Sequence, residues 1–326
     1  MPQMSTASRS SDWYAWFVVT VLSLAAIVSY IDRQVINLLV DPIKVSLSVS
    51  DTQISLLQGF SFAIFYALLA LPLARIADTG KRTQLINLGI ITWTLATFSS
   101  GLAIGFWTLF LARIFVGAGE ATLGPAGYSI IGDYFSKDKL PLAISVFVGA
   151  TFVGSGVALV VGAYVIDEVA SFGIVNLPLV GELEDWQLIF MLVSLPSVLI
   201  LFLMRFVKEP PRRSVSDSDL KGTTFRPVFR HIASNHRVYI ALFGGFTLLA
   251  SAQFGLGAWA PSFFMRTYGL SASEIGTALG SLTAICSACG VIFGGWLSTY
   301  LTRIGVAGSN FLVSVGGALV CIPFAI

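Results

Sequence analysis

Charge is what this sequence has least of. Only 11% of its 326 residues are Asp, Glu, Lys or Arg, while 56% are hydrophobic. A water-soluble domain of that length carries roughly twice the charged fraction to cover its surface, which excludes a soluble helical core. Histidine and cysteine are also scarce. The two histidines, His231 and His236, fall in one polar stretch, and Cys286, Cys289 and Cys321 lie in apolar runs. Cys286 and Cys289 form a C-x-x-C with no second pair and no histidine beside it. They read as small buried residues, with a redox or metal pair as the alternative. No metal and no cofactor is therefore expected, and no nucleophile–base pair marks an enzyme. A net charge of +2 gives no footprint for nucleic acid.

What is present is a series of apolar blocks of about 20 residues or more, long enough to cross ~30 Å of hydrocarbon as helices. Backbone amides in lipid must bond internally, so such spans are helical. The pattern predicts an all-α polytopic membrane protein with nine spans, near 13–40, 52–77, 83–104, 107–134, 140–166, 186–207, 237–265, 272–300 and 309–326. The polar residues 1–12 precede a run too long for a signal-peptide core, so the first span reads as uncleaved. Connectors are short except for two. Residues 167–185 are acidic, with Asp167, Glu168, Glu182, Glu184 and Asp185. Residues 208–236 are basic and polar, with Ser214, Ser216 and Ser218 in the first part. In the second part Phe225, Val228, Phe229 and Ile232 recur at helical spacing among arginines, as in an amphipathic helix lying on an anionic leaflet.

Lys and Arg placement sets the orientation. With the N-terminus cytoplasmic, Lys44 and Arg266 are the only basic residues outside, and Arg33 and Arg113 lie within spans; the rest of the 19 are inside. The N-terminus is expected to be cytoplasmic.

The chain also repeats itself. Leu47-Ser48-Val49-Ser50-Asp51 precedes the second span and Leu270-Ser271-Ala272-Ser273-Glu274 the eighth. Ala74-Arg75-Ile76-Ala77-Asp78 and Gly294-Gly295-Trp296-Leu297-Ser298 close the same spans. Both pairs lie roughly 220 residues apart, the half-protein offset of many secondary transporters. The expected organisation is a cytoplasmic segment 1–12, a six-helix bundle 13–207, a cytoplasmic linker 208–236, and the first three helices of a second bundle, 237–326. By this register three further helices would follow Ile326.

Residues 74–82, Ala-Arg-Ile-Ala-Asp-Thr-Gly-Lys-Arg, resemble the loop signature G-x-x-x-D-R-x-G-R-R of the major facilitator superfamily. The opening Gly is Ala74, the Arg after Asp is Thr79, and one residue is absent. Within that superfamily the chain resembles the Spinster branch, as a bacterial-type member. The residues carrying this likeness are Tyr30-Ile31-Asp32-Arg33, Leu56-Leu57-Gln58, the string from Arg113 through Gly117, Gly119, Glu120 and Ala121, then Pro125 and Gly132-Asp133-Tyr134-Phe135. The resemblance implies two six-helix bundles rocking about a midplane site in the cell membrane. It implies a monomeric carrier of an amphipathic anionic lipid, such as a lysophospholipid or sphingosine-1-phosphate. Another organic anion or a sugar is the alternative within the class; a channel is the alternative outside it, and would not need the repeat.

Four ionisable residues sit deep in spans: Asp32, Arg33, Arg113 and Glu120. Each costs a few kcal/mol or more in hydrocarbon, so each should face a partner or a cavity. Arg113 and Glu120 are about two helical turns apart, roughly 10 Å along one face, whereas Asp32 and Arg33 diverge by about 100°. The resemblance implies that the first and fourth spans line the central cavity. Burial favours a neutral carboxyl and a nearby arginine a charged one, so opening and closing of the cavity can switch protonation. Glu120, then Asp32, are the expected proton carriers, with Arg113 as counter-charge or headgroup contact and Arg33 in a similar role or paired locally. The bland alternative is that these charges only hold two helices together. Asp78, Lys81, Arg82 and Asp133 are expected to form a cytoplasmic gate. Five aromatics of the seventh span, including Trp259, with Gln253 the one notable polar group, leave the opposite wall apolar.

Overall fold

The computed structural model describes residues 12–172, 175–177, 181–212, 226–306 and 308–321. The N-terminal segment to residue 11, the serines 214, 216 and 218, Phe225 and the side chains of Val228 and Phe229 lie outside the described residues. Helix α1 runs Asp12–Gln34, tightens into a 3-10 turn at Val35–Asn37, and is followed by the short α2, Val40–Leu47. Next come α3 (Asp51–Ser55), a π-helical segment Leu56–Phe60, and α4 (Ser61–Thr79). Then follow α5 (Arg82–Ser100), α6 (Phe106–Glu120), α7 (Leu123–Tyr134), α8 (Leu140–Phe172) and α9 (Asp185–Met204). The second part holds α10 (Arg226–Ser234), α11 (His236–Tyr268), α12 (Ala272–Arg303) and α13 (Ser309–Cys321).

Seven of these stretches are long and apolar enough to cross a membrane. The third and ninth expected spans are also helices, the 19-residue α5 and the 13-residue α13. Three details differ from the sequence reading. The first span breaks after Gln34 rather than continuing to residue 40. Helix α8 runs on to Phe172, so Asp167 and Glu168 belong to a helix and not to a connector. The acidic connector itself carries a small antiparallel hairpin, Val175–Leu177 paired with Gly181–Leu183.

Local chemistry explains where the helices start. Ser50 accepts the Gln53 amide at 3.3 Å while Gln53 Oε1 accepts the Ser50 amide at 2.9 Å. Ser271 and Glu274 make the same reciprocal box, at 3.2 and 2.8 Å, satisfying amides that a helix start leaves open. The structural equivalent of Ser271 is thus Ser50 rather than Ser48, which instead ends α2 in a left-handed conformation with φ 51°. This corrects the repeat by two residues and brings the first pair, Ser50 and Ser271, 221 residues apart, to within one residue of the second, Ala74 and Gly294, 220 apart.

Helix α3 continues into α4, and α6 into α7, as single spans. Asp12, Arg82, Asp133 and Glu209 meet at one end of the bundle, the near end, with Lys44, Asp51 and Arg266 at the far end. Helix α1 packs on α8 and α9, α4 on α6, and α5 on α6 and α9. One apolar cluster around Leu22, Ile86, Trp93 and Ile130 fills the near half, and another around Ile36, Ile54, Leu57 and Phe190 fills the far half. The two parts of the chain meet along α8 and α12. There a Cβ on Gly156 would fall 2.4 Å from the Gly280 carbonyl oxygen and 2.3 Å from the Ala284 nitrogen, so only glycine permits this backbone approach. Gly156→Leu should therefore lower the melting temperature in detergent by several degrees, in line with an overpacking cost of about 1–3 kcal/mol. Gly257→Leu, where a Cβ meets nothing within 4 Å, should move it little.

Candidate functional site

All four intramembrane charges come together where α1 meets α6. Helix α6 can approach closely because a Cβ on Gly117 would collide with the Phe62 carbonyl oxygen at 2.4 Å. The α6–α7 break at Ala121–Thr122 falls directly after Glu120, at the bend that the glycines and Pro125 suggest. Arg33 Nη2 donates to Glu120 Oε2 in an ion pair. Arg113 Nη1 donates to the Asp32 carbonyl oxygen at 2.9 Å. Asp32 and Arg113 are fully buried and Glu120 nearly so, whereas the Arg33 side chain keeps 20% exposure.

Helix spacing suggested Arg113 as the counter-charge of Glu120. The direct partner is Arg33, from the neighbouring helix, because two turns along α6 leave Arg113 about 10 Å away along the axis. Several polar atoms of the cluster have no hydrogen-bond partner: Arg33 Nε, Arg113 Nε and Nη2, and Glu120 Oε1. Buried donors and acceptors left open in this way are costly and mark a place where water, a proton or a polar ligand fits.

A chain of amides continues from the cluster toward the far end. Gln34 Nε2 donates to Ser155 at 3.2 Å, Asn37 Nδ2 to Gln34 at 2.5 Å, and Gln58 Nε2 to Asn37 at 3.0 Å. Gln58 also reaches the Ala258 carbonyl of α11 at 3.3 Å, joining the first part of the chain to the second. Gln58 sits in the π-helical segment, a geometry frequent at functional positions.

With this geometry in view, the comparisons decide the lineage. A profile described as Major Facilitator Superfamily matches residues 22–326. A bacterial homolog to the human lysosomal transporter Spinster, solved in an inward-facing and occupied conformation, is 32% identical, with TM-score 0.73 over 96% of this chain and 67% of that one. The chain belongs to the Major Facilitator Superfamily, in its Spinster-like branch. Among curated relatives of this Spinster-like chain, protein spinster homolog 1 of Homo sapiens is 30% identical over 77% of this chain and 46% of its own length. An MFS-type efflux pump of Mycolicibacterium smegmatis is 26% identical over 91% of this chain and 65% of its own length. The chain thus spans between about half and two thirds of the length of the curated relatives it matches.

Charge also ties the Spinster-like bundle at both ends, in different ways. At the near end Arg82 is 1% exposed and pairs with Asp133 and, at 2.7 Å, with Glu209. It also donates to Ser129 Oγ at 2.9 Å and to the Pro210 carbonyl at 2.9 Å. Of the four expected gate residues, Arg82 and Asp133 are brought together. Asp78 takes part through its backbone carbonyl, which accepts from Arg212, and Lys81 is the exposed residue preceding α5. Glu209 and Arg212 were missed because they lie over 120 residues away, in a connector read as flexible. The clamp ties the first bundle to the start of the linker, and among the described residues none of its members comes from α11, α12 or α13.

At the far end the tie crosses between the two parts. Arg266, at the end of α11, donates to Asp41 at 2.7 Å and to Asp51 at 3.0 Å, and Lys44 joins Asp51 at 2.9 Å. Ser273 donates to Asp167 at 2.5 Å. The sequence offered one signal here: Lys44 and Arg266 are the two basic residues assigned to that side.

Burial alone would raise the proton affinity of Glu209, but donors from the Thr83 amide and hydroxyl and from Arg82 outweigh it and hold the carboxyl below its usual range. A depressed carboxyl stabilises the fold above its ordinary pKa and ceases to as pH falls through the lowered value. Wild type should accordingly lose melting temperature on acidification below about pH 4.5, while Glu209→Gln, already weaker at pH 7, should lose less over that window. Arg82→Gln, which strands two carboxylates at a buried pair, should cost about 3–5 kcal/mol by chemical denaturation. Arg266→Gln should unfasten the far end with little loss of stability, since its pairs are exposed. The check is faster maleimide labelling of a cysteine placed at Ala258 in the variant than in the parent.

Proposed function

We propose that this chain acts as a secondary active transporter, coupling proton movement to alternating-access transport of an amphipathic anionic lipid such as a lysophospholipid or sphingosine-1-phosphate. The reading rests above all on one observation: Glu120 is paired with Arg33 at a helix crossing where neighbouring donors and an acceptor stay open. When Glu120 takes up a proton, the ion pair dissolves and the Arg33 fork becomes available to an anion. Arg113, with two open donors, supplies a second contact for a phosphate or carboxylate headgroup. Asp32, beside Thr97 and within electrostatic reach of Glu120 and Arg113, serves as the second proton carrier. Trp259 and the other apolar rings of α11 suit a hydrocarbon tail.

The alternating cycle follows from the unequal ends. The near clamp holds the first bundle to the start of the linker and travels with that bundle, while the far latch joins the two parts and must break for that side to open. Lys and Arg placement puts the near end in the cytoplasm, so the latched side faces outward, in the cell membrane. The relatives, an efflux pump and a bacterial homolog of a lysosomal transporter, support transport as the class of activity.

Binding of radiolabelled lysophosphatidylglycerol to the purified chain should strengthen as pH falls from 8 to 5. In Glu120→Gln it should be flat across that range, at the low-pH strength of wild type. A pH dependence unchanged by Glu120→Gln would remove the proton assignment. In vesicles with an imposed pH gradient, saturable gradient-dependent uptake is expected; an ohmic current would instead indicate a pore.

A further inference from the structure

The surroundings of Arg33 carry a role that the charge pattern alone does not. Its guanidinium carbon lies 4.2 Å from the centre of the Phe62 ring, 4.7 Å from Tyr30 and 5.9 Å from Tyr66. Phe62 and Tyr66, one turn apart on α4, are themselves stacked at 5.4 Å. Tyr30 comes from the same helix as Arg33, and Glu120 closes the arrangement from α6. The guanidinium is thus held by rings from two helices and by one carboxylate from a third.

This matters because the ion pair has to break. A cation left in a dry site when its carboxylate partner is neutralised is strongly disfavoured. A lysine ammonium, compact and strongly hydrated, would withdraw toward water. A guanidinium is more weakly hydrated and lies against aromatic faces, each such contact contributing about 0.5–2 kcal/mol when desolvated. The charged and titratable groups around it are Glu120, Arg113 and the two phenols Tyr30 and Tyr66, with Asp32 next to it in the chain; among the described residues only Glu120 forms an ion pair with it.

We propose that Tyr30, Phe62 and Tyr66 are positioning residues that keep the Arg33 fork aimed at the binding site after Glu120 loses its charge, making the site selective for a planar delocalised cation. The proposal rests on the transport reading for the identity of the anion, but not for the cage itself. Two rings on α4 also connect the state of Glu120 to that helix, since releasing Arg33 from them would free the α1–α4 contact.

A double-mutant cycle tests this. The first change is Arg33→Lys, which keeps the charge; the second is Phe62→Met with Tyr66→Met, which keeps the site apolar and removes the two α4 rings while Tyr30 stays in place. Lysophosphatidylglycerol binding and thermal melting are measured on the purified chain for all four combinations, and again in a Glu120→Gln background. With the rings present, Arg33→Lys should weaken binding roughly tenfold, a fold-change within the range of cation–π contacts, and lower the melting temperature. Without them the same change should matter less than twofold, and the coupling should be larger in Glu120→Gln, where the rings act alone. Equal penalties in both ring backgrounds would overturn the cage. If wild type does not bind the probe at all, the transport reading fails and the melting cycle alone decides the cage. Should the paired methionine variant not fold, Phe62→Met alone closes the cycle with an intermediate penalty.

Discussion

An ionised side chain inside a bilayer needs a partner, and the whole first bundle is organised around that need. Arg33 and Glu120 lie 87 residues apart in the sequence, and their pairing requires α1 and α6 to meet at one height. The glycine at 117 lets α6 lie close against α4 at Phe62, whose ring faces Arg33, and α6 ends directly after Glu120. The apolar clusters above and below then fix the level of the crossing by packing, not by charge. Hydrophobic burial gives no drive for helix association where the solvent is itself hydrocarbon. In such a setting a few polar contacts and close glycine seams carry a share of specificity that a soluble core would leave to shape.

The two ends of the molecule use the same chemistry for opposite purposes. Near the N-terminus, Arg82 is dry and surrounded by Asp133, Ser129 and Glu209, so the clamp stiffens one end of the first bundle. At the far end, Arg266 and its aspartates are wet, worth little individually, and divided between two bodies. A strong contact within a unit and a weak one between units is the arrangement a rocking machine requires: rigid levers, and a closure that thermal energy and a bound ligand can undo.

Much of this was legible in the sequence, and the reasons for the remainder are physical. Helix positions followed from apolar length because lipid leaves the backbone no other choice. The four buried charges stood out because so few others interrupt the spans. Which arginine meets Glu120 did not follow, since spacing along one helix says nothing about the neighbouring helix. Glu209 was hidden by its place just before two prolines and a serine-rich stretch. The end of α8 was misplaced because Asp167 and Glu168 look like the start of water, whereas a helix can run past the membrane surface as long as its turns stay hydrogen-bonded.

The wide turn at Leu56–Phe60 has one further meaning. A segment with five residues per loop of hydrogen bond is a helix carrying a surplus residue, and everything beyond it is rotated relative to everything before it. Here that rotation separates two duties on one rod: Gln58 looks toward the partner bundle, while Phe62 and Tyr66 look toward Arg33. Strict α-helical phasing would place residues 58, 62 and 66 along one stripe. The irregular turn is what lets a single span address a neighbour on one side and a cation on another: Gln58 reaches the Ala258 carbonyl of α11 while the Phe62 ring lies against Arg33.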